Sequence, residues 1–250
     1  TKKIGIDLII TPWDEKSVKF VKKIGIKFFK IASIDANNYH FCEFVAKQKH
    51  PTIISTGMCT YDEILKTQRI FKKHNTPHIF LHCTSAYPSD EKDKNLNCIP
   101  KLRSLLKDEV GFSGHGVGLS GAVGATALGA KVIEKHVTLN KKMLGPDHAA
   151  SLEFDTFKSL VDLCRKVNIS LGSHQKKFLN SEKILHNILI RKFVIRKNIK
   201  KGVKLNFNNI KTALVYNPKG ILPKDYYKIL GKRTKRNLEI GHIIQKSDLK

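Results

Sequence analysis

The chain has 250 residues, which is enough for one large domain or for a large and a small one. Its hydrophobic content of 41% excludes wholesale disorder, and no apolar run approaches the roughly 20 residues that a membrane span needs. The formal charge of +25 points to a nucleic-acid partner, but the basic residues are spread along the whole chain and only seven of the 46 are arginine. We therefore expect a lysine-rich surface without a nucleic-acid or membrane partner.

Apolar segments with strand character alternate with amphipathic segments from the start of the chain. The predicted strands occupy residues 4–10, 27–33, 52–56, 78–84, 109–115 and 131–139. The predicted helices follow them at residues 14–25, 39–48, 60–74, 99–107, 119–130 and 152–168. The first segment is predicted to be a strand, not a signal peptide, because it has no small-residue cleavage pattern. Gly25 can end the first helix, and Thr60 and Glu63 form a capping box on the third.

Strand–helix units at intervals of about 20–30 residues are typical of an α/β fold with a parallel sheet. Strands that are apolar on both faces suit a (β/α)8 TIM-type barrel. Such a barrel needs eight strands, and this pattern supplies six. Either the fold is a different one, or the barrel is incomplete and two units precede residue 1.

The pattern changes after the last of these helices. We assign residues 1–173 to the partial barrel, 174–190 to a polar linker with some helical character, and 191–250 to a small C-terminal domain. In that domain residues 198–210 resemble residues 237–249, which predicts a pseudo-symmetric pair of turns. The five cysteines are odd in number and show no CxxC spacing, which indicates reduced thiols and a cytoplasmic protein.

Polar side chains lie at the carboxyl ends of the predicted strands, where a (β/α) barrel places its active residues. They are Thr11, Lys30, Ser33, Asp35, Ser55, Thr56, His82, Thr84, Ser85, Tyr87, Ser113, His115, Glu134 and His136. Each alone could be an ordinary loop residue. Together they predict a site for a polar ligand.

The segment KVIEKHVTL, residues 131–139, places Glu134 and His136 on one face of a strand. A carboxylate and an imidazole on an inward face are costly unless they bind something. His115 and His136 end neighbouring strands, so they predict a catalytic divalent metal whose other ligands are water or substrate. The alternative is a pair of ordinary surface histidines. None of the five cysteines is expected near this end of the sheet, which argues against structural zinc.

Lys30 and nearby hydroxyl groups predict an anion pocket, because ammonium and hydroxyl groups bind phosphate or carboxylate oxygens. The hydroxyl groups are those of Thr11, Ser33, Ser85 and Ser113. The alternative for Lys30 is a lysine at a strand end whose charge reaches solvent.

Seven motifs, in this order and spacing, strongly resemble the N-acylneuraminate (sialic acid) synthases: ITPWDEKSV, FFKIAS, STGM, LHCTSAYP, GFSGH, ALGAKVIEKHVTL and GPDHAASLE. The C-terminal domain resembles their antifreeze-like (SAF) domain. The resemblance implies an enzyme that condenses phosphoenolpyruvate with N-acetylmannosamine or its 6-phosphate. The products would be N-acetylneuraminate or its 9-phosphate, and free phosphate. It also implies a homodimer in which each SAF domain covers the barrel of the other subunit.

The same resemblance implies a role for each candidate residue. His115 and His136 would bind Mn²⁺ or else Mg²⁺, which polarises the sugar aldehyde. Phosphoenolpyruvate would contact Thr11, Lys30, Ser33, Ser85 and Ser113. The sugar would contact Tyr87, Asp147 and two catalytic carboxylates, Asp35 and Glu134.

Two departures from the family pattern bear on this interpretation. The family's first two βα units, which carry a catalytic glutamate and a substrate-binding lysine, are expected to be missing, so the chain alone is expected to be inactive. Leu214 stands where many bacterial members have an arginine, and NPKG, residues 217–220, resembles the branch that acts on the 6-phosphate. The alternatives are a legionaminic or pseudaminic acid synthase and, in another class, a non-catalytic or nucleic-acid-binding protein.

Overall fold

The computed structural model describes residues 2–217 and 219–250. The chain divides into two compact units, Thr1–Gly172 and Ser173–Lys250. Pro218 of the NPKG segment lies outside the described residues. Within residues 2–217 and 219–250, no helix has the length and apolar character that would let it cross a membrane.

The first unit is built on one parallel sheet whose six strands pair in sequential order. They are β1 (Ile9–Ile10), β2 (Phe28–Ile31), β3 (Thr52–Ser55), β4 (His78–Cys83), β5 (Val110–Gly114) and β6 (Ile133–Lys135). The helices that follow them are α1 (Glu15–Lys23), α2 (Tyr39–Lys47), α3 (Tyr61–Lys73), α4 (Cys98–Leu106), α5 (Ser120–Ala127) and α6 (Phe154–Ser170). Sequential parallel strands joined by helices confirm the predicted α/β fold of six βα units.

Three predicted boundaries are wrong. The first strand is limited to Ile9–Ile10, and a 3₁₀ turn at Lys2–Ile4 precedes it. The segment 131–139 is not one strand, because it divides at His136 into β6 and a separate strand β7 (Val137–Thr138). β7 pairs instead with β8 (Leu152–Glu153), so α6 begins two residues later than predicted.

The two faces of the sheet differ because side chains alternate along a strand. The face that packs on the helices is apolar and buried, and includes Phe29, Ile31, Ile54, Phe80 and Phe112. Each such side chain contributes about 1.5–3 kcal/mol by leaving water. The opposite face, called the inner face below, carries the residues in the other phase, among them Lys30, Ser55, Cys83, Ser113 and Glu134. The core therefore fixes the strands, and the inner face is free to carry polar groups.

Local signals in the sequence start and end the helices as expected. The predicted capping box is present at α3, where the Thr60 and Glu63 side chains bond to each other's backbone N–H. Asp14 caps α1 by accepting a hydrogen bond from the Ser17 backbone N–H over 2.7 Å. α1 ends at Lys23 with Ile24 as its C-cap, and Gly25 follows with a φ of +74°, a conformation that glycine adopts without strain.

The second unit contains short elements only. They are a 3₁₀ turn (Asn180–Glu182), α7 (Lys183–Leu189), β9 (Arg191–Ile195), β10 (Ile210–Leu214), α8 (Tyr226–Ile229) and 3₁₀ turns at Pro223–Asp225 and Lys246–Asp248. β9 and β10 pair in an antiparallel ladder. A separate buried cluster of aliphatic side chains and Phe193 forms the core of this unit.

The internal repeat of the C-terminal domain appears as two matching turns. Asn198 and Asn237 occupy the same place in the repeat, and each side chain accepts a backbone N–H bond from the other turn, over 2.7 and 2.8 Å. Gly202 and Gly241 follow with φ angles of +85° and +84°. The two turns therefore bind each other reciprocally, as a pseudo-twofold pair does.

Candidate active site

A polar network joins four strands on the inner face. Lys30 on β2 donates a hydrogen bond from Nζ to Ser55 Oγ at the end of β3, over 2.9 Å. Ser113 on β5 donates to Glu134 Oε1 on β6 over 2.7 Å, and the Ser55 hydroxyl lies 3.4 Å from the same oxygen. Lys30 Nζ is 3.5 Å from Glu134 Oε2. A cation, a carboxylate and two hydroxyl groups thus share one patch.

Lys30 is the charged centre of this network. The residue is only 6% exposed, and this burial lowers the pKa of Lys30 below its ordinary value, with Glu134 partly opposing the effect. Two of its three N–H donors are used, by Ser55 Oγ and by the Ile31 carbonyl at 3.0 Å. The third has only Glu134, at 3.5 Å. Lys30 therefore keeps capacity for an anionic partner.

His115 and His136 meet beside this network, just beyond β5 and β6. Their ring centroids are 5.2 Å apart and the rings are tilted by 70°. His115 Nδ1 lies 2.9 Å from the Thr84 carbonyl oxygen, which can only accept, so Nδ1 carries the proton. In a neutral ring this leaves the lone pair on Nε2, which has no hydrogen-bond partner within residues 2–217 and 219–250.

The two imidazoles differ in basicity. Burial lowers the pKa of His115, but the contacts with the Cys83 thiol and the Thr84 carbonyl outweigh it and leave that pKa raised. The pKa of His136 is lowered, by burial first and then by the neighbouring His115. Asp147 opposes this shift only weakly, because its Oδ2 is 3.9 Å from His136 Nδ1. His136 therefore stays neutral to a lower pH than His115 does.

Two serines and a glycine line the adjoining wall. Ser85 Oγ is buried and lacks a hydrogen-bond partner among the described residues. Ser33 Oγ accepts a hydrogen bond from the Gly57 backbone N–H over 2.9 Å. A Cβ at Gly57 would lie 2.1 Å from Ser85 Oγ, so only glycine lets the backbone come this close. A buried hydroxyl without a partner is costly and suits a site that a ligand completes.

Two family models match the chain. Residues 1–176 match the model described as the NeuB family, and residues 191–250 match the SAF domain. The chain belongs to the NeuB family. This confirms the predicted family and the predicted SAF domain at the C-terminus.

Curated relatives and a solved structure agree with this membership. The NeuB chain is 38% identical over 247 residues to a pseudaminic acid synthase of Campylobacter jejuni subsp. jejuni serotype O:23/36 (strain 81-176), covering 98% of this chain and 71% of the relative. It is 38% identical over 233 residues to the N-acetylneuraminate-9-phosphate synthase of Homo sapiens, covering 93% and 65%. The N-acetylneuraminic acid (sialic acid) synthetase of Leptospira borgpetersenii serovar Hardjo-bovis superposes with a TM-score of 0.70 at 34% identity, covering 74% of this chain and 65% of that one. The prediction of an enzyme family of sialic-acid synthesis is confirmed.

Most of the predicted site residues of this NeuB chain lie in one region. Polar contacts join Lys30, Ser113 and Glu134 in one group. Polar or ring contacts join a second group beside it: Ser33, Tyr87, His115, His136 and Asp147. The Tyr87 ring centroid is 4.2 Å from that of His115 and 5.9 Å from that of His136. Ser85 adjoins the group at Gly57.

Two predicted residues have no contact with this group within the described part of the chain. Asp35 lies in the 3₁₀ turn Ser33–Asp35, and its Oδ1 accepts a hydrogen bond from Asn38 Nδ2 over 3.0 Å. Thr11 follows β1 at the same end of the sheet and is half-buried. Their roles at a substrate stay predictions.

The expectation that no cysteine lies near the histidines is wrong. Cys83 Sγ is 3.7 Å from His115 Nδ1 and accepts a hydrogen bond from Ser33 Oγ at 3.5 Å. The alternation along β4 explains this, because Cys83 shares the inner-face phase whereas His82 points to the helix side and contacts the Lys94 carbonyl at 2.8 Å. Burial raises the pKa of the Cys83 thiol, but hydrogen bonds from His115 and Ser33 outweigh it and leave the pKa lowered.

Ser55 is a member of the network to which the sequence assigns no role beyond that of a strand-end hydroxyl. The alternation along β3 indicates its position, because Ser55 follows the core residue Ile54 and so points to the inner face. Among the described residues, no cluster of three or more His, Cys, Asp or Glu side chains could hold a metal ion. A metal at this site would therefore have few protein ligands.

Proposed function

We propose that the complete protein condenses phosphoenolpyruvate with a sugar of the N-acetylmannosamine type, free or as its 6-phosphate, and releases phosphate. The observation that supports this most is the Lys30–Ser113–Glu134 network beside the His115–His136 pair. Phosphoenolpyruvate needs a cation and hydroxyl donors, and the sugar aldehyde needs an activator of its oxygen. The inner face offers groups for both.

Phosphoenolpyruvate would bind through Lys30 and the serine hydroxyl groups. The third N–H of Lys30 faces only Glu134 Oε2, at 3.5 Å, and the buried Ser85 hydroxyl has no hydrogen-bond partner among the described residues. Thr11 would add a further hydroxyl donor, Ser33 and Ser113 would line the same pocket while their protons go to Cys83 and Glu134, and the network adds Ser55 to the predicted set. Because these groups are held by β2 to β5, they would fix the anion without much rearrangement.

In the reaction, the methylene carbon of phosphoenolpyruvate bonds to the aldehyde carbon, and the aldehyde oxygen takes up a proton. Water then adds to C2, and the bond between C2 and the phosphate oxygen breaks. Glu134, held by Ser113, would accept a hydrogen bond from a sugar hydroxyl. Tyr87 and Asp147, next to the histidines, would orient the sugar, and Asp35 is proposed as a second carboxylate at it.

His115 and His136 would hold a divalent metal, Mn²⁺ or else Mg²⁺. Such a metal supplies Lewis-acid polarisation of the aldehyde oxygen. The donors fit, because the Thr84 carbonyl holds the proton of His115 on Nδ1 and leaves Nε2 free, as partners of metal-binding histidines do. Two imidazoles leave positions for water and substrate, which suits a catalytic metal.

The sugar and the assembly are proposed from other features of the chain. Leu214, at the end of β10, is 48% exposed. It supplies no charge at the position where the family resemblance implies an arginine in many bacterial members. The similarity to a pseudaminic acid synthase favours a second candidate, a pseudaminic or legionaminic acid precursor in place of N-acetylmannosamine. We also propose a homodimer with exchanged SAF domains and, because the five cysteines are free, a cytoplasmic location.

The test uses the full-length protein with Mn²⁺, phosphoenolpyruvate and each candidate sugar in turn. One sugar should support release of one phosphate per product, with a product mass equal to sugar plus phosphoenolpyruvate plus water minus phosphoric acid. No phosphate release with any of them would contradict the proposal. Nucleic-acid binding that falls steeply with salt, without turnover, would instead favour the non-catalytic alternative.

A further inference from the structure

A cavity of about 590 Å³ lies in the second unit and is formed by residues of that unit alone. Apolar side chains that are otherwise buried form its floor: Ile221, Ile229 and Leu249. Besides Gly220 and Gln245, four lysines and one carboxylate make up the rest of its lining: Lys219, Lys228, Lys232, Lys246 and Asp225. None of these residues takes part in the chemistry proposed for the inner face.

The charges around this cavity are unbalanced. Lys228 Nζ lies 2.6 Å from Asp225 Oδ1 and neutralises it. The pKa of Asp225 lies below its ordinary value, through this hydrogen bond first, and the charge of Lys246 adds to the effect. Lys219, Lys232 and Lys246 have no acidic partner within 4.0 Å in the described ranges 2–217 and 219–250. Three positive charges are therefore in excess around one cavity.

The size and lining of the cavity limit what it could bind. Ligand pockets for small molecules measure about 300–1,000 Å³, whereas one water occupies only about 30 Å³. A single inorganic ion would leave most of this volume, and the apolar floor, uncovered. Lysine ammonium groups bind phosphate as point charges, and their long stems can lie along apolar surface.

We propose that this cavity, called the lysine cavity below, binds a phosphorylated small molecule that carries at least two negative charges and an apolar or planar body, as a nucleoside diphosphate does. The phosphates would lie among Lys219, Lys232 and Lys246, and the body would cover the floor at Ile221 and Ile229. None of its lining residues belongs to the Lys30–Ser113–Glu134 network or to the histidine pair, and its test does not require turnover.

The test is calorimetric titration of the full-length protein with ADP and, separately, with pyrophosphate. ADP should bind saturably, and at least about tenfold more tightly than pyrophosphate, because only ADP has a body that covers the floor. Lys232→Glu and Lys219→Glu should each weaken ADP binding by about tenfold or more, because each reverses one charge at the phosphates. The matched control is Lys211→Glu, which makes the same charge change at an exposed position on β10. It should leave the affinity within about twofold.

Several outcomes would overturn the proposal. Equal losses in Lys211→Glu and in the cavity variants would assign the binding to the general basic surface. If pyrophosphate bound as tightly as ADP, the apolar floor would contribute nothing to binding and the proposed ligand class would be wrong. No saturable binding of either compound up to about 1 mM would show that the lysine cavity is not a site of this kind. Thermal unfolding of each variant, measured in parallel, identifies any that has not folded, and either cavity variant suffices for the test.

Discussion

Replacing Lys30 by Met should weaken the binding of phosphoenolpyruvate and still leave a folded protein. The two side chains have similar length and an unbranched stem, so Met can occupy the same space on the inner face. The change removes the hydrogen bonds to Ser55 Oγ at 2.9 Å and to the Ile31 carbonyl at 3.0 Å. It also removes an ammonium group from a residue that is only 6% exposed.

The effects on folding oppose each other. Hydrogen bonds to a charged group contribute about 1.5–3 kcal/mol each, whereas burying an ammonium costs several kcal/mol. We therefore expect the free energy of unfolding to fall by no more than about 3 kcal/mol. Binding of phosphoenolpyruvate has no such compensation, because removing one member of a desolvated charge pair costs about 2–5 kcal/mol. At about 1.4 kcal/mol per factor of ten, the KM for phosphoenolpyruvate should rise by about 30-fold to several thousand-fold.

The assay measures phosphate release for KM and urea unfolding for stability, both in the full-length protein. Lys94→Met is the matched control, because Lys94 is also buried, at 5% exposure, and is also paired with a glutamate, Glu91, but it donates to Ser120 at the start of α5 and not to the inner-face network. Its KM for phosphoenolpyruvate should stay within about threefold of the wild-type value. A folded Lys30→Met protein with an unchanged KM would refute the assignment of Lys30 as the anion-binding cation.

Four further predictions concern the histidines and the second unit. His115→Ala or His136→Ala in the complete protein should abolish both Mn²⁺ binding, measured by titration, and condensation. The control variants His74→Ala and His186→Ala should abolish neither. Activity retained in His115→Ala or His136→Ala would show that the proposed metal site is wrong. Mn²⁺ affinity should fall as the pH decreases, beginning above the ordinary histidine pKa of about 6.5, because the raised pKa of His115 makes it take up a proton before His136 does. A series of titrations in which Mn²⁺ affinity falls only well below pH 6 would contradict the protonation of His115 before His136. Deleting residues 191–250 from the complete protein should leave Mn²⁺ binding intact and lower turnover, and full activity of the deleted form would exclude a role for the SAF domain. Asp248→Asn should lower the free energy of unfolding by about 1–3 kcal/mol, because Asp248 is buried and accepts hydrogen bonds from Arg236, His242 and the Gln245 backbone. Burial raises the pKa of Asp248, but these hydrogen bonds outweigh burial and leave that pKa lowered. The stabilisation that Asp248 gives at neutral pH should therefore be lost as the pH falls below about 4. In calorimetry, the unfolding temperature of Asp248→Asn should depend less on acid pH than that of the wild type.

The sequence predicted the strand order and the polar inner face because both depend on local periodicity. Lys30 stands between Phe29 and Ile31, and Ser113 follows Phe112, so the apolar neighbours identify the core face and the polar residues must point the other way. The Gly and Asn positions of the C-terminal repeat were equally local. These features need no knowledge of distant contacts, which is why they could be read in advance.

The contacts of Cys83 with His115 and Ser33 could not be predicted from local periodicity. Its phase on β4 places it on the inner face, two residues after Leu81. The number and spacing of the cysteines bear only on disulfides and zinc sites, and neither role requires Cys83. Its actual contacts, with His115 Nδ1 and Ser33 Oγ, join three separate elements of the chain. A contact of that kind depends on the packing of the sheet and has no signature in the spacing of the cysteines.

The division of the segment 131–139 into β6 and β7 also depends on a long-range contact, and it affects the geometry of the histidine pair. The apolar pattern continues through Val137, so nothing local ends β6 at Lys135. What ends it is a long-range pairing, in which the Leu152 backbone N–H donates to the His136 carbonyl over 2.9 Å and β7 pairs with β8. This pairing closes the loop between them, and the Thr138 hydroxyl bonds to His148 Nδ1 within it over 2.7 Å. The closed loop brings Asp147 to within 3.9 Å of His136, so the interruption of the strand is what adds this carboxylate to the histidine pair.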